Sequence, residues 1–501
     1  MRAKLRSSWF VLVLVVIAML SVSMPLWAAQ VIILHTNDVH SRVEPHGTDQ
    51  IGGRVRVATL VDEVREMYGP EKVLLLDVGD AIHGMNIDNL FGGLPSIEIM
   101  NAMGYDAFTL GNHEFNYGQQ VLAERIADAE FKTLAANITK EDGSLFTDYS
   151  ALIKEVNGVK VGIIGFSPED TPIVTHPKNV EGLVFHDPIA IAKQTVKIIR
   201  PEVDVLIALS HLGFNKDVEL AEAVPEFDLI VGGHSHTTLE TAHEVNGVLI
   251  VQAHEYANNL GFVYLEVEGK EIVARESFLI PTTADVEKHA QVQSIIDYWN
   301  GQLQERLGTV IGSSNISWDG ERASVRTKET NLGNLVADVI RQAAGSDIAV
   351  TNGGGIRASI PAGDIRVADV YNTLPFDNSL VVVEMMGMDI LEALEHGARL
   401  LPEQNGAFLQ VSGITYEVDQ NALPGGRVIN VKVGGNRLAA GEYYTVATND
   451  FLAAGGDGYE TFLNANLVAE TGIMLRDVMV DHIAAQGTVE EPEAGRIVIL
   501  K

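Results

Sequence analysis

Short apolar runs alternate with longer amphipathic or polar segments along the first half of the chain. The runs have the length of β-strands, and the segments between them are long enough for helices. One example is the run VIIL at residues 31–34, which the polar stretch HTNDVH follows. This rhythm predicts α/β structure.

Five of the runs end at a side chain that can bind a metal ion or move a proton. Besides VIIL they are VLLLDVGD (73–80), AFTL (107–110), VLIALS (205–210) and DLIVGG (228–233). Each run ends in, or leads directly into, Asp, Asn or His. Because open α/β sheets gather ligand sites at the carboxyl ends of their strands, the pattern predicts one shared site.

A helical pattern separates the two halves of the chain. Between 285 and 307, apolar residues from Val292 to Leu307 recur at helix spacing. We therefore predict a catalytic domain at 30–284, a linker helix at 285–308 and a second α/β domain at 309–501. In the last, NLGNLVADVIRQAAG predicts a helix, and DIAV, LVVVEM, YTVAT and RIVIL predict strands.

The N-terminus has the pattern of a secretory signal. Arg2, Lys4 and Arg6 precede the run WFVLVLVVIAML, and small residues follow it. We predict a signal peptide at 1–29, cut after Ala28 or Ala29, and therefore a secreted or periplasmic protein. Because the twelve apolar residues of this run are few for a membrane span, an uncleaved anchor is the less favoured alternative.

The composition of the chain limits which partners it can bind and which side chains can hold a metal ion. The 501 residues are 46% apolar with a formal net charge of −32, and such an acidic surface repels nucleic-acid polymers and anionic membranes. We expect small-molecule partners, no membrane contact beyond the signal peptide, and a monomer or weak homodimer. The chain has no cysteine, so a metal ion must be held by nitrogen or oxygen ligands.

The polar groups at the strand ends are weak signals one at a time, but together they form a set of metal ligands. The set is Asp38, His40, Asp80, Asn112, His211, His234 and His236. It suits two divalent ions about 3.5–4 Å apart with a bridging carboxylate. Asp80 is the natural bridge, because an ionised carboxylate can give one oxygen to each ion. Zn, Mn, Co and Fe all suit these ligands, and the sequence does not distinguish them.

The ordered motifs DVH, GD, GNHE, SHLG and GGHSH resemble those of the metallophosphoesterase domain of secreted 5′-nucleotidases and nucleotide-sugar hydrolases. The resemblance covers nearly all of residues 31–499. It implies an N-terminal four-layer α/β metallophosphoesterase domain, a βαβ sandwich, and a C-terminal α/β 5′-nucleotidase substrate-binding domain. A water or hydroxide held by the two ions would attack phosphorus while the ions stabilise the oxygens. The implied ligand sets are Asp38, His40, Asp80 and His236 for one ion, and Asp80, Asn112, His211 and His234 for the other.

His113 is similar to the catalytic histidine of this family, which stabilises the transferring phosphoryl group or protonates the leaving oxygen. In 5′-nucleotidases the motif usually closes with an aspartate that orients this histidine, whereas Asn116 stands here. An amide oxygen can accept a hydrogen bond from the ring but brings no charge to favour an imidazolium. We assign catalytic roles to both residues and expect Asn116→Asp to move the pH–rate profile.

Four stretches of the second half resemble the nucleotide-binding domain of the same family: ERASVRTKETNLGN, TNGGGIRASI, LPFDNSL and NDFLAAGGDGYETF. Arginines there would bind phosphate or carboxylate, two rings would sandwich a base, and polar side chains would contact ribose and the base edge. We predict that Phe408 lies in the core. The substrate-binding residues that the resemblance implies are Arg322, Arg326, Asn352, Arg357, Phe376, Phe451 and Asp457.

The leading hypothesis is release of phosphate from nucleoside 5′-phosphates, with nucleoside di- and triphosphates and UDP-sugars as further candidate substrates. The ending NHEFNYG also resembles periplasmic 2′,3′-cyclic-nucleotide 2′-phosphodiesterases with 3′-nucleotidase activity, which the second half does not favour. A sulfur-oxidation hydrolase is a remote third hypothesis. A non-catalytic secreted binding protein is disfavoured, because the whole ligand set and His113 are present.

Overall fold

The computed structural model describes residues 28–47, 49–175 and 177–500. The predicted signal peptide at 1–29 lies outside these residues except for its last two positions. The chain folds into two compact units. The first runs to Thr171 and resumes over Val180–Asn300, and the second comprises Pro172–Asn179 and Gly301–Lys501.

Two six-stranded sheets and a small strand pair build the first unit. In spatial order the first sheet contains Glu271–Pro281 (β14), Asn259–Glu268 (β13), Ala29–Thr36 (β1), Val73–Asp77 (β2), Ala107–Thr109 (β3) and Lys132–Leu134 (β4). The second sheet contains His243–Val245 (β11), Val248–Val251 (β12), Leu229–Gly232 (β10), Val205–Ser210 (β9), Val159–Phe166 (β7) and Ala151–Val156 (β6). The strand pair is Ile138–Lys140 (β5) with Leu183–Phe185 (β8).

Helices cover the outer face of each sheet. On the first sheet pack Arg54–Tyr68 (α1), Leu94–Met103 (α3) and Gly118–Asp128 (α4), with Asn86–Asn89 (α2) beside them. On the second sheet pack Pro188–Ile199 (α6) and Phe214–Ala223 (α7). A single turn, Thr171–Val174 (α5), crosses the division between the units.

The alternation of side chains along the strands produces four layers. On β1, Val31 and Ile33 enter a core shared with the second sheet, whereas Ile32 and Leu34 face the covering helices. Strand β9 repeats the pattern on its own two faces. Strands buried on both faces are continuously apolar, which explains runs such as VIIL and VLIALS. The helix–sheet–sheet–helix arrangement confirms the predicted four-layer α/β domain.

The helical pattern near 285–308 corresponds to a helix at Ala290–Leu307 (α8). Its residues Val292, Ile296 and Trp299 pack into the core of the first unit. The boundary between the two units falls inside this helix, after Asn300. The linker at 285–308 and the domain limits on either side of it therefore stay predictions.

The described residues of the second unit form three sheets. In spatial order the largest contains Leu409–Ser412 (β19), Ile348–Asn352 (β16), Tyr443–Asn449 (β23), Ser379–Met386 (β18) and Asn466–Met474 (β24). The second contains Asn436–Arg437 (β22), Val428–Val433 (β21), Ile414–Asp419 (β20) and Ile497–Leu500 (β26). The third contains Gly363–Arg366 (β17), Val310–Ser314 (β15) and Thr488–Val489 (β25).

The helices of the second unit complete the predicted α/β architecture. The predicted helix begins after Thr330, whose side chain accepts a hydrogen bond from the backbone N–H of Gly333 and caps it. The helices are Arg322–Val325 (α9), Asn331–Ala344 (α10), Val367–Thr373 (α11), Gly387–Ala398 (α12), Asp450–Ala453 (α13), Glu460–Leu463 (α14) and Leu475–Gln486 (α15). Among the described residues, every helix is too short or too polar to cross a bilayer.

Candidate active site

The polar stretches meet where parallel strands of the two sheets end. Strands β1, β2 and β3 run parallel in one sheet, and β9 and β10 run parallel in the other. The backbone N–H of Asp38 donates to Gly79 at 3.0 Å, and that of His40 donates to Asp80 at 2.8 Å, so the first two loops are joined. The carboxylate of Asp38 accepts from the N–H of His234 at 3.0 Å, which joins the two sheets.

Five of the seven predicted ligands have a left-handed backbone. The φ angles are 50° at Asp38, 46° at His40, 53° at Asp80, 69° at His234 and 50° at His236. Such a conformation at a non-glycine residue costs about 1–3 kcal/mol and persists only where the surroundings enforce it. The inter-loop hydrogen bonds supply that enforcement, so the strain is concentrated at the candidate ligands.

The ligand atoms converge into overlapping groups. Asp38, His40 and His236 form one group, and Asp80, His211 and His234 form another, with ligand atoms within 4.8 Å of one another in each. Asp80 Oδ2 lies 3.1 Å from His211 Nε2 and 3.9 Å from His40 Nε2, so it stands between the groups. His113 also approaches His40 and Asp80 to this distance.

Two of the histidines are held in the orientation that metal ligands need. His211 Nδ1 is 2.5 Å from the carbonyl oxygen of Val78, so it donates there and leaves Nε2 facing Asp80. His236 Nδ1 pairs with the carboxylate of Glu255, while its Nε2 lies 3.4 Å from Asp38. A partner on one ring nitrogen fixes the tautomer and frees the other nitrogen to bind a metal ion.

The electrostatic field of the site favours cations. Burial alone would lower the pKa of His211, but the charges of Asp80 and Asp38 outweigh it and raise that pKa to about 10. Burial would raise the pKa of Asp80, but the neighbouring histidines, His211 first, hold it well below its usual range. Burial lowers the pKa of His40 to about 4, so its ring is neutral, as a ligand must be.

Divalent metal ions fit these residues. Within the described part of the chain, Asn112 Oδ1 and His211 Nε2 are buried polar atoms that make no hydrogen bond, although Asp80 Oδ2 lies 3.1 Å from the latter. A buried polar atom without a partner costs about 1–3 kcal/mol. A cation bound by both would remove that cost, and imidazole, carboxylate and amide donors suit first-row divalent metals.

The catalytic pair predicted from the sequence is also assembled, with one difference. His113 and Asn116 lie on a 3₁₀ turn, His113–Tyr117, which follows β3 after residues 110–112. The side-chain nitrogen of Asn116 lies 2.8 Å from His113 Nδ1. We expected the amide oxygen to accept from the ring, but an amide nitrogen can only donate, so Nδ1 accepts and the ring proton is on Nε2.

A cavity of about 390 Å³ in the second unit brings together most of the predicted substrate residues. Phe376 and Phe451 are 46% and 43% exposed, unlike the apolar residues of the core. The guanidinium of Arg357 lies 5.5 Å from the centre of the Phe376 ring. Of the predicted set, the lining includes Arg326, Asn352, Arg357, Phe376, Phe451 and Asp457, whereas Arg322 is outside it.

Polar contacts order the floor of this cavity. The side-chain amide of Asn352 donates to Asp457 at 2.8 Å, and Asn449 donates to Asn352 at 3.2 Å. Burial and the charges of Arg322 and Arg357 lower the pKa of Arg326, so Arg322 belongs to the same cationic cluster. Phe408, predicted to be core, is 1% exposed.

Comparison with known proteins gives a family match for the candidate metal site and another for the cavity of the second unit. Residues 31–238 match the calcineurin-like phosphoesterase family, and residues 310–464 match the 5′-nucleotidase C-terminal domain. The 5′-nucleotidase of Vibrio cholerae is 32% identical over 91% of this chain and 91% of its own length. The chain belongs to the 5′-nucleotidase family. The human 5′-nucleotidase is 30% identical over 96% of this chain and 93% of its own.

Other relatives bear on the fold and on the length of the match. The trifunctional nucleotide phosphoesterase YfkN of Bacillus subtilis is 34% identical over 93% of this chain, which spans 34% of that longer protein. A 5′-nucleotidase precursor from Thermus thermophilus superposes with a TM-score of 0.58 at 33% identity, covering 94% of this chain and 99% of its own. This 5′-nucleotidase family member is a metal-dependent nucleotide phosphohydrolase.

The structure also shows three residues around the site that the sequence reasoning missed. Glu114 accepts backbone hydrogen bonds from Asp80 at 2.8 Å and Gly111 at 2.7 Å with one oxygen, and from Ala81 at 2.7 Å with the other. Its only sequence signal is an acid next to His113. Glu255 is far from the motifs in sequence, and His83 lies just outside one of them. Only the tertiary structure relates these two residues to the site.

Proposed function

We propose that this chain is a secreted 5′-nucleotidase that binds two divalent metal ions and releases phosphate from nucleoside 5′-phosphates. The observation that carries the proposal is the convergence of ligand atoms from Asp38, His40, Asp80, His211, His234 and His236, with the buried Oδ1 of Asn112 left without a hydrogen bond among the described residues. A structural role for these groups would leave that amide oxygen uncompensated. Nucleoside di- and triphosphates and UDP-sugars are further candidate substrates.

The proposed ligands divide between the two ions around Asp80. Asp38, His40 and His236 would hold one ion with Asp80, and Asn112, His211 and His234 would hold the other. The short approach of His40 Nε2 to His236 Nε2, 3.3 Å, supports the first set, because two imidazole nitrogens so close need a proton or a cation between them. Bound ions would supply positive charge to the phosphoryl oxygens and would lower the pKa of the attacking water.

His113 would act on the phosphoryl group or the leaving oxygen as a hydrogen-bond donor. Asn116 occupies its Nδ1 and keeps the proton on Nε2. Its ring centre lies 5.1 Å from that of His40, and its backbone N–H donates to Asp80 Oδ1 at 2.9 Å, so it is placed beside the ligands. A hydrogen-bond donor placed here would stabilise negative charge that develops on the phosphoryl or leaving oxygen.

The cavity of the second unit would supply substrate recognition. Phe376 and Phe451 would stack on the base, and Asp457 would accept from ribose hydroxyls. Asn352 holds one Asp457 oxygen, so this carboxylate is oriented before the nucleotide arrives. Arg326 and Arg357, with Arg322 nearby, would attract the phosphate or a carboxylate despite the net charge of −32.

A turnover panel tests the substrate class. The chain without residues 1–29 would be incubated with AMP, 3′-AMP, 2′,3′-cyclic AMP, ATP and UDP-glucose in Mn²⁺ or Zn²⁺ buffer, with and without chelator. Loss of each substrate and formation of its nucleotide, nucleoside and phosphate products would be followed by chromatography. We expect AMP to have the highest kcat/KM and chelator to abolish turnover. Preference for the cyclic substrate would reject the proposal but leave the phosphoesterase chemistry in place.

The cyclic-nucleotide phosphodiesterase is the second candidate, because Asn116 ends the motif where an aspartate is usual in 5′-nucleotidases. The panel separates the two activities directly. Secretion rests on the signal-peptide pattern at 1–29, and N-terminal sequencing of protein recovered from the native host tests it. An N-terminus at Ala29 or Gln30 is expected, and an intact Met1 would reject cleavage.

A further inference from the structure

A second buried histidine lies against the predicted catalytic pair. His83 is on the loop after β2 that also carries Asp80, and it is 3% exposed. Its ring is stacked on that of His113, with centres 5.4 Å apart and planes 8° apart. The sequence motifs left this residue unassigned.

Asn116 joins the two rings. Its side-chain nitrogen lies 2.8 Å from His113 Nδ1 and 3.0 Å from His83 Nδ1. A primary amide nitrogen has two hydrogens, so each can be donated to one ring. When both hydrogens are donated, rotation of the amide would break both hydrogen bonds. The hydrogen bond to His83 therefore helps to keep the amide in the orientation that donates to His113.

We propose that His83 is a positioning residue for phosphoryl transfer and acts on His113 through the side-chain amide of Asn116. The inference rests on the proposed role of His113 in the 5′-nucleotidase reaction. Without His83, one amide hydrogen would lose its acceptor, so the orientation of the Asn116 side chain would be held less firmly. An amide turned so that its oxygen faced His113 would require the ring proton on Nδ1, and Nε2 would no longer be a donor.

The arrangement bears on the asparagine at position 116. A carboxylate has no hydrogen to donate, so Asn116→Asp would require Nδ1–H on both rings. The asparagine and His83 therefore form one unit with a defined direction of hydrogen bonding, from the amide to both rings. Offset stacking of the two rings at 5.4 Å adds to the alignment of His113.

Two replacements of His83 separate the hydrogen bond from the packing. His83→Phe keeps a stacked ring of similar volume but removes the acceptor. His83→Asn removes the ring but can place an amide oxygen near the former Nδ1. The matched control is His186→Phe, because His186 is a partly buried histidine with a 2.8 Å hydrogen bond from Nε2 to Thr139, in a separate part of the first unit.

Steady-state kinetics with AMP and with p-nitrophenyl phosphate would be measured for each variant at equal metal content. We expect His83→Phe to lower kcat about 3- to 10-fold with little change in KM, since one net hydrogen bond is lost. His83→Asn should recover most of the rate, and His186→Phe should leave it unchanged. In an Asn116→Ala background, His83→Phe should have less than about a twofold effect.

Two results would overturn the proposal: an unchanged kcat in His83→Phe, or an equal loss with and without Asn116. Hydrolysis of p-nitrophenyl phosphate but not AMP would reject the nucleotidase assignment and still test His83. For a chain with neither activity, nitrogen-15 spectra of the imidazoles supply the readout. Asn116→Ala should shift the Nδ1 resonances of both rings, and a shift of His113 alone would refute the shared amide.

Discussion

Glu114→Gln should loosen the loops that carry the candidate ligands. One carboxylate oxygen of Glu114 accepts from Asp80 and Gly111, and the other accepts from Ala81 and, at 3.4 Å, from Ile82. Burial and the charge of Asp80 raise the pKa of Glu114 to about 7, so at pH 8 the residue is mostly ionised and both oxygens accept. A glutamine replaces one acceptor with an NH₂ group that faces N–H donors.

The size of the effect follows from these contacts. A hydrogen bond to a charged acceptor contributes about 1.5–3 kcal/mol, so losing two costs about 3–6 kcal/mol of local opening free energy. A change of about 1.4 kcal/mol is tenfold in an equilibrium constant, so amides of residues 79–82 should exchange about 10²- to 10⁴-fold faster.

Hydrogen exchange followed by mass spectrometry at pH 8, in chelator, measures this effect in the first unit alone. The matched control is Glu98→Gln. Glu98 accepts one hydrogen bond, from Trp299 Nε1 at 2.8 Å, and the amide oxygen of glutamine can replace that acceptor. Unchanged exchange of the 79–82 segment in Glu114→Gln would show that this contact does not hold the loop.

Three further substitutions have defined outcomes. Phe451→Ala should raise KM for AMP about 5- to 100-fold with kcat little changed, because base stacking is worth about 1–3 kcal/mol. Glu255→Gln should weaken binding of Mn²⁺ or Zn²⁺ about 10- to 100-fold in competition with a chromophoric chelator, because this carboxylate orients the His236 ring. Asp77→Asn should destabilise the first unit by about 3–5 kcal/mol in calorimetry, because it removes the ion-pair partner 3.1 Å from the fully buried Arg54.

Two of these substitutions, Phe451→Ala and Asp77→Asn, have a matched control within the chain. Tyr443→Ala removes an aromatic ring that is 55% exposed and outside the cavity lining, so KM should not change. Asp62→Asn weakens contacts of an exposed carboxylate with Arg65 at 3.9 Å and His289 at 3.0 Å, and it should cost less than about 1 kcal/mol. A KM of Phe451→Ala within twofold of the native value, or equal stability of the two aspartate variants, would contradict the corresponding argument.

The sequence was informative where a local pattern determines the outcome. Strands of the central sheets are buried on both faces, so runs such as VIIL and VLIALS indicate both their extent and their place in the layers. Polar residues directly after these strands predicted which loops would form a site, and ordered motifs predicted the family. Asp38, His40, Asp80, His211, His234 and His236 lie in groups whose ligand atoms are within 4.8 Å of one another. Their roles as ligands, and that of Asn112, stay proposals.

Other features depend on long-range packing that no local pattern records. Glu255 meets His236 through a loop before β13, and His83 meets Asn116 across two different strand ends. The side-chain nitrogen of Asn116 faces both histidines. The sequence around His113 alone predicts instead that the amide oxygen faces the ring. The spacing of apolar residues predicts the helix at 290–307. Its packing against the core of the first unit follows only from the tertiary structure.

Metal stoichiometry tests the central claim most directly. Chain 30–501 would be stripped with chelator, dialysed against Mn²⁺ or Zn²⁺, and analysed by mass spectrometry for ions per protein, with Asp80→Asn in parallel. We predict two ions per native chain and a loss of at least one in Asp80→Asn, which removes the shared carboxylate. Fewer than one ion per native chain, or equal stoichiometry in the variant, would contradict a dinuclear site centred on Asp80.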